Sequence, residues 1–423
     1  MGGLPLGLMI DGQGVHFDAA SPSSLEALLA RHPLDDSNLL ARARDGMARI
    51  KAMDLSKYNM HDPALPLPAP GYVLVVDQTR GDASVRHSGA TEATFRDMLV
   101  QAREDHPTAR LLIKTHPETT LGLRAGHFGP EDEGAGVSLL TAPVSPRGLL
   151  DGAIAVYTVS SQLGFEAVLA GHRPKVFGQP FYAGWGLTDD RTPPPRRKRV
   201  LTRTQLFAGA MILAPHWFDP CRDRLASFEE ALNQLEAEVR AWREDRHGHV
   251  AHGMRMWKRG RLQAVFGTEK PLEFQEDAAK AVSHAKGGGL LVWAGRDRPE
   301  LAAPDVTLRR VEDGFLRSRG LGAALIPPLS LVTDDLGIYY DPTRESRLER
   351  LIRAPLPAGG AARAEALEKA LIAARVTKYN LPGALPDLPE GRRILVPGQV
   401  EDDASIRLGA GQIRTNLGLL QAA

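Results

Sequence analysis

The sequence predicts an α/β protein of Rossmann-like parallel-sheet domains, in which one module occurs twice and neither copy is complete. Short apolar segments that end at polar loops alternate with segments of helical spacing, a pattern typical of a parallel sheet covered by helices on both faces. A series of motifs near the N-terminus recurs near the C-terminus. The length of 423 residues allows two or three domains.

Four apolar segments in the first half predict buried strands, because each is short and stops at a polar loop. These segments are residues 72–76, 110–114, 154–158 and 175–177. Helical spacing follows the first of them over Thr94–Glu104, and a second helix follows the third strand and ends at Gly171, since glycine favours a helix C-terminus.

The internal repeat decides the domain organisation. Three segments, Pro5–Asp11, Gly14–Asp18 and Ser23–Glu26, resemble Pro328–Asp334, Gly337–Asp341 and Ser346–Glu349 at an offset of 323 residues. Two more, Lys57–Asn59 and Asp77–Ser84, resemble Lys378–Asn380 and Gly398–Ser405 at an offset of 321. Such an offset is too long for a solenoid, whose repeats span roughly 20–50 residues. It indicates a duplicated domain.

We therefore expect residues 1–200 to be the rear part of a first module and residues 251–423 the front of a second. Residues 201–250 are predicted to be a linker that contains a packing helix, since Ser227–Glu230 is a capping box followed by an apolar stripe. The basic segment Thr192–Arg199 is interpreted as a solvated connector. A nucleic-acid patch is the weaker alternative, because no aromatic residues interleave with the basic ones.

Composition excludes several classes of protein. The net charge of +1 gives no general attraction for nucleic acid, and a single cysteine, Cys221, excludes a disulfide framework and a cysteine-rich zinc site. No apolar run reaches the roughly 20 residues of a membrane span, and the N-terminus lacks the features of a signal peptide, so we expect a cytoplasmic protein. The P-loop, HExxH, GxGxxG and GxSxG motifs are absent from the sequence.

The loop after the first strand contains two carboxylates, Asp77 and Asp82. Asp82 recurs as Asp403 in the second copy, whereas Asp77 is replaced by Gly398. The repeat thus favours Asp82 and Asp403 as the functional pair. An Asx turn that caps a short helix is the alternative role.

The loops after the second and third strands contain further polar residues. Lys114, His116 and Pro117 follow the second strand and could bind an anion together, the alternative being a turn fixed by the proline. After the third strand, the segment that holds Ser160, Ser161 and Gln162 is predicted to place a helix N-terminus against a phosphate, although either serine could be a plain N-cap. Glu166 lies in the first turns of that helix, where it could accept hydrogen bonds from a ribose or lie in solvent.

One candidate site belongs to the second copy. Glu312 and Asp313 precede a loop that contains Arg317 and Ser318, and a guanidinium there could bind an acidic sugar through two hydrogen bonds. A buried salt bridge is the competing interpretation.

Together these motifs resemble the capsular polysaccharide biosynthesis proteins of the KpsC type. The resemblance is carried by EDGFLRSRGLG, PPLSLVTDDLGIYYD, KYNLPG, ILVPGQVEDDASIR, VVDQTRGDAS, LLIKTHP, YTVSSQLGFEAVLAG and FGQPFYAGWGLTDD, which extend over nearly the whole chain. It implies GT-B-like modules made of paired Rossmann-like domains, and retaining transfer of β-Kdo from CMP-Kdo to a Kdo-containing glycolipid.

The resemblance also implies roles for the residues. His116, Ser160 and Ser161 would hold the phosphate of CMP, and Glu166 the nucleoside. Retention by two inversions needs a carboxylate nucleophile, for which we select Asp82, with Asp403 as its counterpart. Neither a metal ion nor another cofactor is expected. The acceptor places the protein at the inner face of the inner membrane, where other capsule biosynthesis and export proteins are expected partners.

Two other functions stay open at this level. A non-catalytic factor for capsule assembly or export could use the same fold as a binding module, and an enzyme for a UDP-sugar could share the phosphate motifs. Since the first copy lacks its EDGFLRS-type segment and the second lacks the His-Pro and Ser-Ser-Gln motifs, we expect the chain by itself to bind CMP weakly and to transfer little.

Overall fold

The computed structural model of the protein describes residues 5–383 and 386–423. The chain divides into two compact units. Unit 1 contains the residues up to Val239 together with Pro357–Gly359, and unit 2 contains Arg240–Leu356 and Gly360–Ala423. The boundary lies within one helix, inside the segment for which the sequence predicts a linker with a packing helix.

The strands of unit 1 form two sheets. They are β1 (Gly7–Leu8), β2 (Tyr72–Val76), β3 (Arg110–Lys114), β4 (Val137–Leu140), β5 (Ala153–Thr158), β6 (Lys175–Val176), β7 (Asp189–Asp190), β8 (His216–Asp219) and β9 (Arg224–Ala226). The larger sheet has the order β4-β3-β2-β5-β6-β7, with every neighbouring pair parallel. The smaller, β1-β8-β9, is antiparallel. The four predicted strands are confirmed.

The helices of unit 1 cover both faces of the larger sheet. They are α1 (Ser24–Arg31), α2 (Ser37–Ala52), α3 (Ala83–His87), α4 (Glu92–Asp105), α5 (Pro117–Thr120), α6 (Pro146–Gly152), α7 (Gln162–Ala170), α8 (Arg203–Phe207) and α9 (Phe228–Asp245), which continues into unit 2. Each face has its own apolar cluster, one around Phe95 and Ile113 and the other around Leu74 and Leu149. This explains why all five residues of β2 are buried.

Unit 2 has a second, mixed sheet. Its strands are β10 (His249–His252), β11 (Glu273–Gln275), β12 (Gly289–Trp293), β13 (Thr307–Asp313) and β14 (Leu331–Asp334), in the order β11-β10-β12-β13-β14. Only the pairing of β13 with β14 is antiparallel. Its other helices are α10 (Met256–Phe266), α11 (Ala278–His284), α12 (Arg347–Arg353), α13 (Gly360–Ala373), α14 (Ala404–Gly409) and α15 (Asn416–Ala422).

Two predicted helix ends are confirmed in detail. Gly171 ends α7 with φ of 109°, a left-handed conformation that glycine adopts without steric cost. At the start of α9, Glu230 accepts a hydrogen bond from the backbone N–H of Ser227, and Ser227 Oγ accepts one from the N–H of Glu230. Phe228 and Leu232 of the predicted stripe then pack into the core of unit 1.

The interpretation of Thr192–Arg199 as a solvated connector is wrong. Arg197 is only 7% exposed. Its Nε donates to Oε2 of Glu26 (2.9 Å), and its Nη1 donates to the carbonyl oxygen of Ala183 (3.0 Å). Arg196 also pairs with Glu26. Arg196 and Arg197 are therefore part of the packing of α1, since a buried guanidinium is stable only when a carboxylate and carbonyl groups satisfy it.

Candidate functional site

The strand ends of unit 1 surround a cavity of about 530 Å³. The pairing of the strands explains where the cavity lies. In the parallel sheet, Val76 of β2 lies opposite Lys114 of β3, and Val75 lies opposite Tyr157 of β5. The loops after these three strands therefore leave the sheet at the same edge. Ligands of open parallel sheets bind at this edge. All eight candidate residues predicted in the first copy line the cavity: Asp82, Lys114, His116, Pro117, Ser160, Ser161, Gln162 and Glu166.

Asp82 is held at the cavity by a short-range turn. It is the N-cap of α3, where its Oδ1 accepts a hydrogen bond from the backbone N–H of Ser84 (2.7 Å). Asp403 makes the same bond with Ser405 (2.9 Å) at the start of α14. The capping role weighed in the sequence therefore exists in both copies, and it leaves the Asp82 carboxylate on the cavity wall.

His116 and Lys114 provide nitrogen donors at the end of β3. Nδ1 of His116 accepts a hydrogen bond from the N–H of Glu118 (3.2 Å), an arrangement that puts the ring proton on Nε2. Burial lowers the pKa of His116, so the neutral imidazole dominates at neutral pH. Burial also lowers the pKa of Lys114, whose Nζ donates to the carbonyl oxygen of Thr115 (3.0 Å).

The N-terminus of α7 opens into the same cavity. Ser161 is its N-cap, accepting from the N–H of Leu163, and Tyr182 fixes the turn by donating to the Ser161 carbonyl oxygen (2.7 Å). Gly164 lies against Tyr182, and a Cβ there would come within 2.2 Å of the phenol oxygen. The site thus presents the positive end of the α7 helix dipole, which favours a phosphate.

Sequence reasoning missed Gln78, which links two of the loops. Its Oε1 accepts from the N–H of Ser160 (2.9 Å), and its Nε2 donates to Oγ of Ser160 (3.1 Å) and of Ser84 (3.3 Å). The repeat could have identified Gln78 as a candidate site residue, because Gln78 recurs as Gln399. Gln78 therefore fixes Ser160 relative to the loop that carries Asp82.

Glu166 lies against the first repeated KYN motif. Both of its carboxylate oxygens accept from Oγ of Ser56 (2.9 and 3.0 Å), and Oε1 also accepts from the N–H of Lys57 (3.3 Å). Burial raises the pKa of Glu166 to about 6 in spite of these bonds. The predicted alternative, a solvated helix carboxylate, is wrong. The cavity is also lined by Ser56, Lys57 and Tyr58. The recurrence of Lys57–Asn59 in the second copy could have identified this segment as part of the site.

Asp77, which the repeat set aside, is nevertheless at the cavity. Its Oδ1 accepts from the N–H groups of Gln78 (2.8 Å) and His127 (3.0 Å), whereas Oδ2 is buried and has no hydrogen-bond partner among the described residues. Burial raises the pKa of Asp77 to about 6. Asp77 organises two loops in unit 1, a role that Gly398 cannot take in the second copy.

The candidate residues of unit 2 lie at the carboxyl end of β13. Arg317, predicted to bind a sugar through its guanidinium, is 2% exposed, and it donates to Oδ2 of Asp313 (2.6 Å) and to Oγ of Ser318 (2.8 Å). The structure shows the competing interpretation, a buried salt bridge between Arg317 and Asp313. Glu312 accepts from the hydroxyl of Tyr340 (3.5 Å), and burial raises its pKa.

Two searches of the described residues were negative. Residues 5–383 and 386–423 include no cluster of three or more histidine, cysteine, aspartate or glutamate side chains arranged to hold a metal ion. Within the same residues, every helix is too short or too polar to cross a bilayer.

A parallel sheet whose polar strand ends and helix N-terminus meet at one cavity defines an α/β protein with a polar cleft at the carboxyl edge of its sheet. The chain belongs to the family of capsule polysaccharide biosynthesis proteins. The sequence model of that family matches residues 68–215 and 295–387, which are more than half of the chain.

Curated relatives agree with this assignment. The capsule polysaccharide modification protein LipA of Neisseria meningitidis serogroup B (strain MC58) is 37% identical over 440 residues, which cover 99% of this chain and 62% of the relative. The lipopolysaccharide-processing protein LpsZ of Rhizobium meliloti is 38% identical over 56% of this chain and 54% of its own length. The chain thus spans about 62% of the length of LipA.

A solved structure supports the fold. The β-Kdo 2,4 transferase KpsC of Thermosulfurimonas dismutans is 37% identical, with a TM-score of 0.53, and the match covers 55% of this chain and 73% of that chain. The predicted KpsC-type resemblance and the GT-B-like α/β fold are confirmed.

Proposed function

We propose that this chain is part of a retaining glycosyltransferase that moves β-Kdo from CMP-Kdo to a Kdo-containing glycolipid during capsule synthesis. The observation that carries the proposal is the gathering of eight predicted residues around one cavity at the end of a parallel sheet. The likeness to a β-Kdo transferase supports the sugar. We place the reaction at the inner face of the inner membrane, beside other capsule biosynthesis and export proteins, and it uses neither a metal nor another cofactor.

The first chemical step is attack by the Asp82 carboxylate on the anomeric carbon of the donor. A carbon–oxygen bond forms to Asp82, and the bond from the anomeric carbon to the phosphate oxygen breaks, so that CMP leaves with the electron pair. The sugar is then esterified to the enzyme with inverted configuration. A hydroxyl of the acceptor displaces Asp82 in a second inversion, and the overall result is retention.

The phosphate that leaves is stabilised by donors already in place. Neutral His116 donates through Nε2, Lys114 contributes an ammonium group, and Ser160, Ser161 and the amide groups of α7 complete the site. Because Nδ1 of His116 already accepts from Glu118, the imidazole is a donor and not a base. The phosphate of CMP is therefore the base that takes the proton of the acceptor.

Nucleotide preference tests the proposed donor. We expect CMP to raise the melting temperature of the chain more than UDP does, and His116→Ala to reduce the CMP effect, because a phosphate donor is lost. The measurement is differential scanning fluorimetry over a nucleotide titration. A larger shift with UDP would replace the CMP-sugar by a UDP-sugar.

The affinity for CMP should also depend on the ionisation of Glu166. Above pH 6 the carboxylate accepts hydrogen bonds from the ribose, and below pH 6 this ability is lost as the group is protonated. Glu166→Gln should weaken CMP about tenfold at pH 7.5, since hydrogen bonds to charged groups are worth roughly 1.5–3 kcal/mol.

Calorimetric titration of both proteins from pH 5 to 7.5 measures this dependence. The phosphate of CMP titrates in the same pH range and affects both proteins alike. The informative quantity is therefore the Kd of Glu166→Gln for CMP divided by the Kd of the wild type. We expect that ratio to approach one at pH 5. A ratio that stays constant across the range would remove Glu166 from the nucleoside site.

A further inference from the structure

We propose that an aromatic pair in each copy, His16–Phe17 in unit 1 and Tyr339–Tyr340 in unit 2, faces the acceptor sugar and determines acceptor specificity. We call it the wall pair. The inference rests on the proposed function and extends it, since it assigns the difference between the two copies to particular side chains.

The two pairs stand on the same local structure. In unit 1, Oδ1 of Asp11 accepts from the N–H of Gly14 (3.1 Å), and Oδ2 accepts from the N–H of Ser24 (2.7 Å). In unit 2, Oδ1 of Asp334 accepts from the N–H of Gly337 (2.8 Å), and Oδ2 from the N–H of Arg347 (2.8 Å). All of these residues are related by the offset of 323, so each wall pair is presented by an equivalent loop.

The ring geometry of the two pairs is also the same. The rings of His16 and Phe17 are 5.4 Å apart at 82°, and those of Tyr339 and Tyr340 are 5.2 Å apart at 84°. The backbone and the ring positions are therefore kept between the copies, while the functional groups at the ring edges differ.

Each wall pair lies beside a candidate carboxylate, Asp82 in unit 1 and Glu312 in unit 2. In unit 1, His16 and Phe17 line the cavity together with Asp82, and His16 packs against Phe181 of the same cavity (5.9 Å between ring centroids). In unit 2, the hydroxyl of Tyr340 reaches Glu312 (3.5 Å), and Tyr339 packs against Phe315 (5.0 Å).

Position separates the wall pair from the donor groups. The phosphate and nucleoside contacts proposed above come from the end of β3 and the loop that follows it, from the loop after β5 and from α7. The wall pair of unit 2 instead follows β14, which pairs with β13, the strand that carries Glu312 and Asp313. The part of the cavity next to the wall pair is thus left for the other substrate, a polyhydroxylated acidic sugar.

The chemistry of the two pairs favours different acceptor contacts. Two phenol hydroxyls in unit 2 can donate to and accept from sugar hydroxyls. In unit 1, Phe17 offers no hydrogen bond, and His16 offers a ring nitrogen in a shorter side chain. Because a buried hydrogen-bonding group left unpaired is costly, such a change selects which hydroxyl of the acceptor approaches the reactive carbon.

Exchange of the pair within unit 1 tests the inference. Two variants are made: the double variant His16→Tyr, Phe17→Tyr, and Phe17→Tyr alone as the milder change. Each is titrated with CMP and with a synthetic β-Kdo disaccharide, which serves as the acceptor probe. We expect the Kd of the disaccharide to change on the order of tenfold, about the effect of one or two hydrogen bonds, while the Kd of CMP stays within twofold. Phe274→Tyr on β11 is the matched control and should alter neither.

The outcomes separate the two proposals. An unchanged disaccharide Kd in both variants, with circular dichroism and melting temperature like the wild type, would overturn the inference. An equal change for CMP and disaccharide would do so too, because the pair would then act on the whole cavity. If the wild-type chain bound neither CMP nor CMP-Kdo, the proposed function would fail, and the inference with it.

Discussion

Asp82→Asn should slow the covalent attachment of the sugar of CMP-Kdo to the protein at least about 10³-fold, because loss of a nucleophile typically costs this much or more. Asparagine caps a helix as well as aspartate does, and its Oδ1 can keep the bond from the N–H of Ser84 that Asp82 makes at 2.7 Å. The variant therefore removes the charge and keeps the fold. CMP binding should stay within a few-fold of the wild type.

Intact-protein mass spectrometry after incubation with CMP-Kdo measures the first step directly. Wild type should carry one added sugar residue, and Asp82→Asn should carry none. Asp36→Asn is the matched control, because Asp36 is also a helix N-cap, accepting from the N–H of Leu39 at 2.6 Å, and it does not line the cavity. An adduct on Asp82→Asn, or full transfer by it, would disprove the assignment. Normal capsule assembly in cells that carry Asp82→Asn would favour the non-catalytic assembly factor.

Arg197→Ala should lower the stability of unit 1 by about 3–5 kcal/mol, the usual range when one partner of a buried ion pair is removed. Arg197 satisfies Glu26 together with Arg196, and it donates to the carbonyl oxygen of Ala183. Its guanidinium also lies 5.8 Å from the ring centroid of Trp185. Removal of the side chain leaves a void beside Trp185, and it takes a donor away from the Glu26 carboxylate and from the Ala183 carbonyl oxygen.

Calorimetric unfolding should show the loss as a fall of about 10 °C in the melting temperature, given roughly 2–4 °C per kcal/mol for a domain of this size. Lys198→Ala is the control in the same segment, since Lys198 is exposed and the change should stay within about 0.5 kcal/mol. A shift of less than 2 °C for Arg197→Ala would mean that Arg196 alone satisfies Glu26.

Much of the candidate site could be predicted from the sequence, because motifs at the ends of parallel strands necessarily meet at one edge of the sheet. This holds for Asp82, His116 and Ser160. Gln78 and Ser56 were missed, because their roles depend on partners about 80 and 110 residues away, Ser160 and Glu166. For Arg317 the sequence could not choose between two roles, since a guanidinium that binds a ligand and one buried in an ion pair have the same residue pattern.

What the sequence alone determined is the local structure of the repeat. The turn after Asp11 and the turn after Asp334 have the same hydrogen bonds, and Asp82 and Asp403 cap their helices in the same way. These bonds join residues close together in the chain, so the same short motif forms them wherever it occurs.

Only the tertiary structure decided what the repeated motifs are used for. Glu26 is 6% exposed and pairs with two arginines, whereas its counterpart Glu349 is exposed and caps its own helix by accepting from the N–H of Ser346 (2.8 Å). Leu29 is fully buried, but its counterpart Ile352 is 73% exposed. The difference arises because burial and ion pairing require partners far away in the sequence, and equal motifs acquire unequal surroundings when those partners differ.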